Sequence, residues 1–168
     1  DQLLRPEIAG LGKPDATPAH VLYDEGAALG SKWYDVKGYK PLFAFGHGLS
    51  YTHFILSNLT AQPDGKAIRV SFAIRNVGKR QGKGVAQVYV GPADWQKAGW
   101  EAPKRLGAFA KADLKPNQSK TIEVTVDPRL LATYEAAGNN WHIRAGEYRL
   151  MLGQGLARRH QELGVEVS

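Results

Sequence analysis

Between residues 68 and 75 the chain reads Ile-Arg-Val-Ser-Phe-Ala-Ile-Arg, with Ile68, Val70, Phe72 and Ile74 alternating against Arg69, Ser71, Ala73 and Arg75. Side chains on a strand point to opposite faces at each step, so this period of two describes a strand buried on one side. Burying those four groups contributes about 1.5–3 kcal/mol each, which a helical backbone would forfeit by scattering them around its circumference. A sheet with one apolar face needs a second layer to cover it.

The same rhythm recurs along the chain. Phe54, Leu56 and, after a one-residue slip, Leu59 suggest a first strand, closed by the turn signal Asp64-Gly65. Val85–Val90 follows a glycine-rich stretch at Gly78, Gly82 and Gly84, which reads as a hairpin turn. After a loop over 91–103 come Leu106–Leu114, the turn Lys115-Pro116-Asn117, and the alternation Ile122, Val124, Val126. Pro128–Ala137 suits a short helical turn, Trp141 and Ile143 a short strand, and Tyr148, Leu150 and Leu152 alternate again. Val165 and Val167 form a last, edge-like strand. About seven or eight short strands between Gly, Pro, Asn and Asp turns predict an all-β antiparallel sandwich. Patterning alone leaves immunoglobulin-like and fibronectin-like topologies both open.

Residues 1–51 are different. Pro6, Pro14 and Pro18 with Gly10 and Gly12 break both periods, which predicts an irregular connector. Aromatic residues then gather at Tyr23, Trp33, Tyr34 and Tyr39, and the run Pro41–Thr52 reads P-L-F-A-F-G-H-G-L-S-Y-T. Trp33, Tyr34, Phe43, Phe45 and Tyr51 each carry about 150–250 Å² of surface that folding favours burying. Left bare together they would exceed the few hundred Å² of a soluble monomer's largest apolar patch. They are therefore candidates for docking, with His47, flanked by two glycines, expected to fix the turn by a hydrogen bond.

That run, preceded by Y-D-E-G-A-A-L-G-S-K-W-Y-D at Tyr23–Asp35, resembles the segment leading into the C-terminal domain of family 3 glycoside hydrolases, the β-glucosidases and related exo-acting enzymes. Relatives often have proline where Ala44 stands. Further along, N-V-G-K-R-Q-G-K-G-V-A-Q-V-Y-V, P-K-R-L-G-A-F and W-H-I-R-A-G-E-Y-R-L-M-L-G resemble motifs of that family's fibronectin type III-like domain. The resemblance implies a connector over 1–51 and a fibronectin type III-like sandwich over 52–168. It implies a C-terminal segment of a longer, β-glucosidase-like enzyme that retains configuration, acts on terminal β-D-glucosyl residues and is periplasmic or secreted. The family's nucleophile and acid/base both precede this segment, so no residue here inherits a catalytic role, and the chain alone is expected to be inactive.

Direct inspection for chemistry agrees. Retaining glycosidases need two carboxyl groups about 5–5.5 Å apart, and only Glu25 and Asp35 lie beside clustered aromatics; hydrogen bonding to connector backbone is their expected role. The five histidines lack ligand spacing, and the chain has no cysteine, so neither a metal nor a cofactor is expected. Gly78–Lys83 is one residue short of a phosphate loop and leads into a strand. The net charge of +6 is spread over scattered basic residues, with Lys79-Arg80 and Arg158-Arg159 the densest pairs, which speaks for a solvated surface over nucleic-acid binding. No apolar run reaches the roughly 20 residues that span a membrane. Asn58-Leu59-Thr60 and Asn117-Gln118-Ser119 fit the N-glycosylation pattern.

Trp95 and Trp100 suit two readings: stacking on carbohydrate or lignin in an accessory binding module, or packing on the sandwich or a neighbouring domain. The leading expectation is a non-catalytic segment partnered by the upstream catalytic domains, and through them by a β-glucoside or oligosaccharide. An independent adhesion-type sandwich is the third.

Overall fold

The computed structural model describes residues 24–156 and 158–168. The prolines and glycines of 1–20, with Tyr23, lie outside the described residues, as do the side chains of Arg158, Arg159 and His160. Among the described residues one helix, α1 (Ser31–Lys37), precedes nine strands: β1 (Phe54–Asp64), β2 (Ala67–Asn76), β3 (Gly82–Pro92), β4 (Arg105–Leu114), β5 (Ser119–Val126), β6 (Thr133–Glu135), β7 (Asn140–His142), β8 (Gly146–Gly155) and β9 (Arg158–Val167). They form an antiparallel three-stranded sheet in the order β1-β2-β5, a four-stranded sheet β4-β3-β8-β9, and a small ribbon β6-β7.

The two larger sheets face each other over one core. Ile68, Val70, Phe72 and Ile74 are fully buried, as the alternation predicts, and meet Ala86, Val88 and Val90 of β3 with Tyr148, Leu150 and Leu152 of β8. The slip expected in the first strand is a bulge between Ser57 and Thr60, with Asn58 in a left-handed conformation at φ 56°. Asparagine tolerates that region better than other non-glycine residues. Asn117 takes it too, at φ 63°.

The glycine-rich stretch after β2 is not a hairpin. Both edges of β2 are taken, by β1 and β5, so residues 77–81 carry the chain across to the four-stranded sheet. Residues 115–118 make the reverse crossing from β4 to β5. Pro128–Leu130 forms the expected helical turn, a 3-10 turn with Asp127 accepting from the Arg129 amide.

Along β3, Ala86 to Val90 are all buried, although alternation sends Gln87 and Tyr89 to the side away from the core. Met151, opposite Tyr89 on β8, is also buried. The outer face of the four-stranded sheet is therefore covered by the connector around Gln87, Tyr89 and Met151, while Val85 of β3 and Phe109 of β4 stay exposed.

Candidate functional site

The connector is held against that outer face by backbone and charge. Leu156 donates its amide hydrogen to the Phe45 carbonyl at 2.9 Å. Ala44–His47 is a β-turn closed by the His47 amide on the Ala44 carbonyl at 2.8 Å, with Gly46 third at φ 86°. Such a turn asks for glycine at that position, and here the packing asks for it as well. A side-chain carbon on Gly46 would stand 2.8 Å from Gly155 Cα and 3.0 Å from Gln87 Nε2. The imidazole of His47 lies against Phe43, ring centroids 4.9 Å apart, so the turn is fixed by the main chain and not by that side chain.

Upstream, 31–37 is helical where an irregular connector was expected. Seven residues cannot sustain an isolated helix, and no residue of α1 is fully buried. Gly38, in the left-handed conformation, caps its C-terminus by donating to the carbonyls of Tyr34 and Asp35. Two ion pairs tie the helix down. Lys32 Nζ meets Glu101 Oε1 at 2.6 Å, and Asp35 Oδ2 meets Lys104 Nζ at 2.7 Å, where both side chains are largely buried.

Glu101 is the centre of a larger cluster. Arg105 grips it through Nε at 2.9 Å and Nη2 at 2.6 Å, lays its guanidinium over Trp100 at 4.0 Å, and donates from Nη1 to the carbonyls of Leu130 and Ala132. Burial would raise the Glu101 carboxyl, but the hydrogen bonds from Arg105 and Lys32 overcome it and hold the group down at about 2. Tyr89, beneath the connector, is pushed up to about 12 by burial and secondarily by the charge of Asp35. A cleft of about 210 Å³ lies here between helix and sheet, bordered by Ser31, Asp35, Phe45, Tyr89, Leu106 and Leu156.

The outer side of the connector is bare. Leu42, Phe43, Leu49 and Tyr51 are 96%, 73%, 99% and 92% exposed, and Phe45 is exposed as well. Trp33 and Tyr34 are half-buried, the first under the Lys37 ammonium at 4.6 Å from the ring centroid, the second edge-on to Tyr39. The structure thus brings Phe43, Phe45 and His47 together on one turn, with Trp33 and Tyr34 on the helix before it and Tyr51 beyond it.

Trp95 and Trp100 do not form a platform. Trp100 is buried between Arg105 and Tyr148, and Trp95 is half-buried against the core, so Trp100 has no face to offer a sugar ring. The loop over 91–103 turns back on the sandwich through the Trp100 amide, which donates to the Trp95 carbonyl at 3.0 Å. Glu25 accepts the Ala28 amide through its main-chain carbonyl, while Asp35 serves Lys104 instead of backbone. Among the described residues, no three His, Asp or Glu gather as metal ligands would. The pairing residues Lys32, Glu101, Lys104 and Arg105 escaped sequence reasoning. Their only signal was the charge density of Glu101–Arg105 beside the aromatic loop.

The matching family model is the fibronectin type III-like domain, over residues 84–155. The thermostable β-glucosidase B of Acetivibrio thermocellus is 39% identical over 138 residues, 80% of this chain and 18% of its own length. An exo-α-(1→6)-L-arabinopyranosidase of Bifidobacterium longum is 35% identical over 136 residues, again 80% of this chain and 18% of its own. The solved structure of β-glucosidase 3B from Thermotoga neapolitana superposes with a TM-score of 0.80 at 34% identity, covering 94% of this chain and 22% of that one. The chain thus spans about a fifth of the length of the proteins it matches. Sandwich, connector and these likenesses agree: the chain belongs to the family 3 glycoside hydrolases, of which it carries the fibronectin type III-like domain and the connector before it.

Proposed function

We propose that this segment is a non-catalytic part of a β-glucosidase-like hydrolase, in which residues 1–51 link the sandwich of 52–168 to upstream catalytic domains and dock against them. The observation that supports it is the two-sidedness of the connector. Its inner side is pinned to the four-stranded sheet, whereas Leu42, Phe43, Phe45, Leu49 and Tyr51 stay exposed within ten residues of chain. Apolar area of that density on one short stretch marks a contact surface. Retaining hydrolysis of terminal β-D-glucosyl residues belongs, on this reading, to the whole enzyme. Relatives named for a β-glucoside and for an α-L-arabinopyranoside match at similar identity, so the choice of sugar is assigned to the upstream domains. The periplasm or the cell exterior as the place of action rests on the family resemblance alone.

The test is Phe43→Ala with Phe45→Ala in the full-length enzyme and in this chain. Melting temperature and kcat/KM should fall together in the full-length protein, because displacing catalytic groups by about 1 Å costs roughly 100-fold in rate. The isolated chain should melt unchanged. Unchanged activity and melting in the full-length enzyme would remove the docking role.

A further inference from the structure

The sequence scatters its basic residues, but the fold gathers six of them at one end of the sandwich. Asn76 laces two crossings together there. Its side chain donates to the carbonyls of Arg80 and Leu114. Its main-chain amide donates to the Gln118 carbonyl at 3.0 Å, and its own carbonyl accepts the Asn117 amide at 2.9 Å. The Lys115 amide donates to the side-chain oxygen of Gln118 at 2.9 Å and closes the second crossing on itself. Residues 77–81 and 115–118 therefore lie side by side. Register fixes the strand ends next to them, with Arg75 opposite Ser119 and Lys83 opposite Asp113.

Arg75, Lys79, Arg80, Lys83, Lys115 and Lys120 are all exposed at this end. One carboxylate accompanies them, that of Asp113, which accepts from the Gln81 side-chain amide at 3.1 Å. The surrounding sequence is poor in acids. Asp64 is the only one between residues 36 and 93, and Asp113 the only one between 102 and 122. Asp64 closes the far end of β1, where Arg69 takes it at 2.7 Å, and Glu123 stands in mid-sheet opposite Ser71. Among the described residues, none of the six cations is paired with a carboxylate.

We infer that this end of the sandwich binds an acidic glycan, a polysaccharide carrying repeated carboxylate or sulfate groups, and holds the enzyme to it. Crowded like charges repel, and a partner of opposite sign relieves them. Six positive groups on two laced turns and the adjoining strand ends match a polymer whose negative charges recur along its length. Four of the six are lysines, compact hydrated charges that meet an anion from any direction, whereas phosphate and nucleic-acid recognition favours the planar fork of arginine. Proteins that read a duplex also send a helix or a two-stranded ribbon into its major groove. Among the described residues this end presents turns and strand ends only. The helix α1 is tied down before the start of β4, and the β6-β7 ribbon follows the far end of β5, both at the opposite end. The choice of a glycan rests on the reading above that the parent enzyme works on saccharides.

Affinity electrophoresis of this chain and of the full-length enzyme tests it, in gels containing polygalacturonate, a uronic-acid polymer, or neutral soluble β-glucan. Polygalacturonate should retard both proteins and β-glucan neither, and about 0.5 M salt should abolish the effect by screening. Lys79→Glu with Lys115→Glu should raise the apparent dissociation constant about tenfold. Lys66→Glu with Arg144→Glu, an equal change of charge on exposed residues at the other end, should move it less than about twofold. Both pairs should leave the melting temperature unchanged. Absence of retardation, or equal weakening by the two pairs, would overturn the inference. The docking role of Phe43 and Phe45, read from stability and turnover, would be untouched by that result. Retardation of the chain but not of the full-length enzyme would also overturn it and give the surface to the upstream domains. So would tighter binding of duplex DNA, or of phosphatidylglycerol vesicles, through the same two lysines.

Discussion

The Thr52 hydroxyl donates to the side-chain oxygen of Asn76 at 2.6 Å, with both side chains buried. Asn76 also accepts the Gly78 amide at 3.0 Å and donates to the carbonyls of Arg80 at 2.7 Å and Leu114 at 2.9 Å. All four capacities of the amide are used, at the place where the chain leaves one sheet for the other. A buried polar residue is tolerable only on those terms.

Asn76→Ala should therefore cost about 2–4 kcal/mol, since it strands the buried Thr52 hydroxyl and Leu114 carbonyl together. Thr52→Val, which removes one donor and leaves the oxygen its Gly78 partner, should cost about 1 kcal/mol. Urea unfolding of both variants checks the order. Equal losses would mean that the amide does not act as a hub.

Phe72 is fully buried between the sheets. Truncation to alanine should cost about 3–5 kcal/mol, a large share of the 5–15 kcal/mol available to a domain. A measured loss below about 1 kcal/mol would contradict the packing around that ring.

Acid should loosen the helix-to-sandwich contact at Glu101. Its carboxyl titrates at about 2 when folded and near 4.5 when free. The unfolded chain thus binds the proton first, and the stability this group adds is present above about 4.5 and lost as pH falls toward 2. Glu101→Gln should flatten the melting temperature's dependence on pH across that window. An unchanged acid limb would assign it to other carboxylates.

Alkali should act through Tyr89 in the opposite direction. Its phenol ionises near 10 in the unfolded chain and at about 12 when buried under the connector. Stability from this group is therefore intact below pH 10 and lost as pH rises toward 12. Asp35→Asn removes the lesser cause of the shift, so absorbance titration should find the buried tyrosine ionising at lower pH. No movement would mean burial alone sets it.

The strands were legible because their information is local. Ile68–Ile74 and Tyr148–Leu152 carry the period of two in plain view, and even the slip before Leu59 could be read. The crossings were not, because whether Gly78–Lys83 reverses the chain or transfers it depends on β5 occupying the free edge of β2, some forty residues later. The connector helix was missed for a related reason: its order comes from Glu101 and Lys104, and nothing in S-K-W-Y-D-V-K announces them. The two glycines at either end, one of which caps it, were the available hint. For the aromatics, composition indicated that something must be covered without indicating which. Trp100 went inside beneath Arg105, and Trp141, in a strand of only three residues, stayed out.

Gly46, pressed against Gly155 and Gln87, has a consequence for where this molecule can be cut. A pattern that starts at residue 84, or a tidy excision at 52, outlines the sandwich and discards its wrapper. The sheet bearing Tyr89 and Met151 would then meet solvent with a greasy outer surface, and such a fragment should clump where the longer chain stays dispersed. The piece that hides the outward side of Tyr89 and Met151 is three layers thick there, and its outermost layer is a stretch that repeats no period at all.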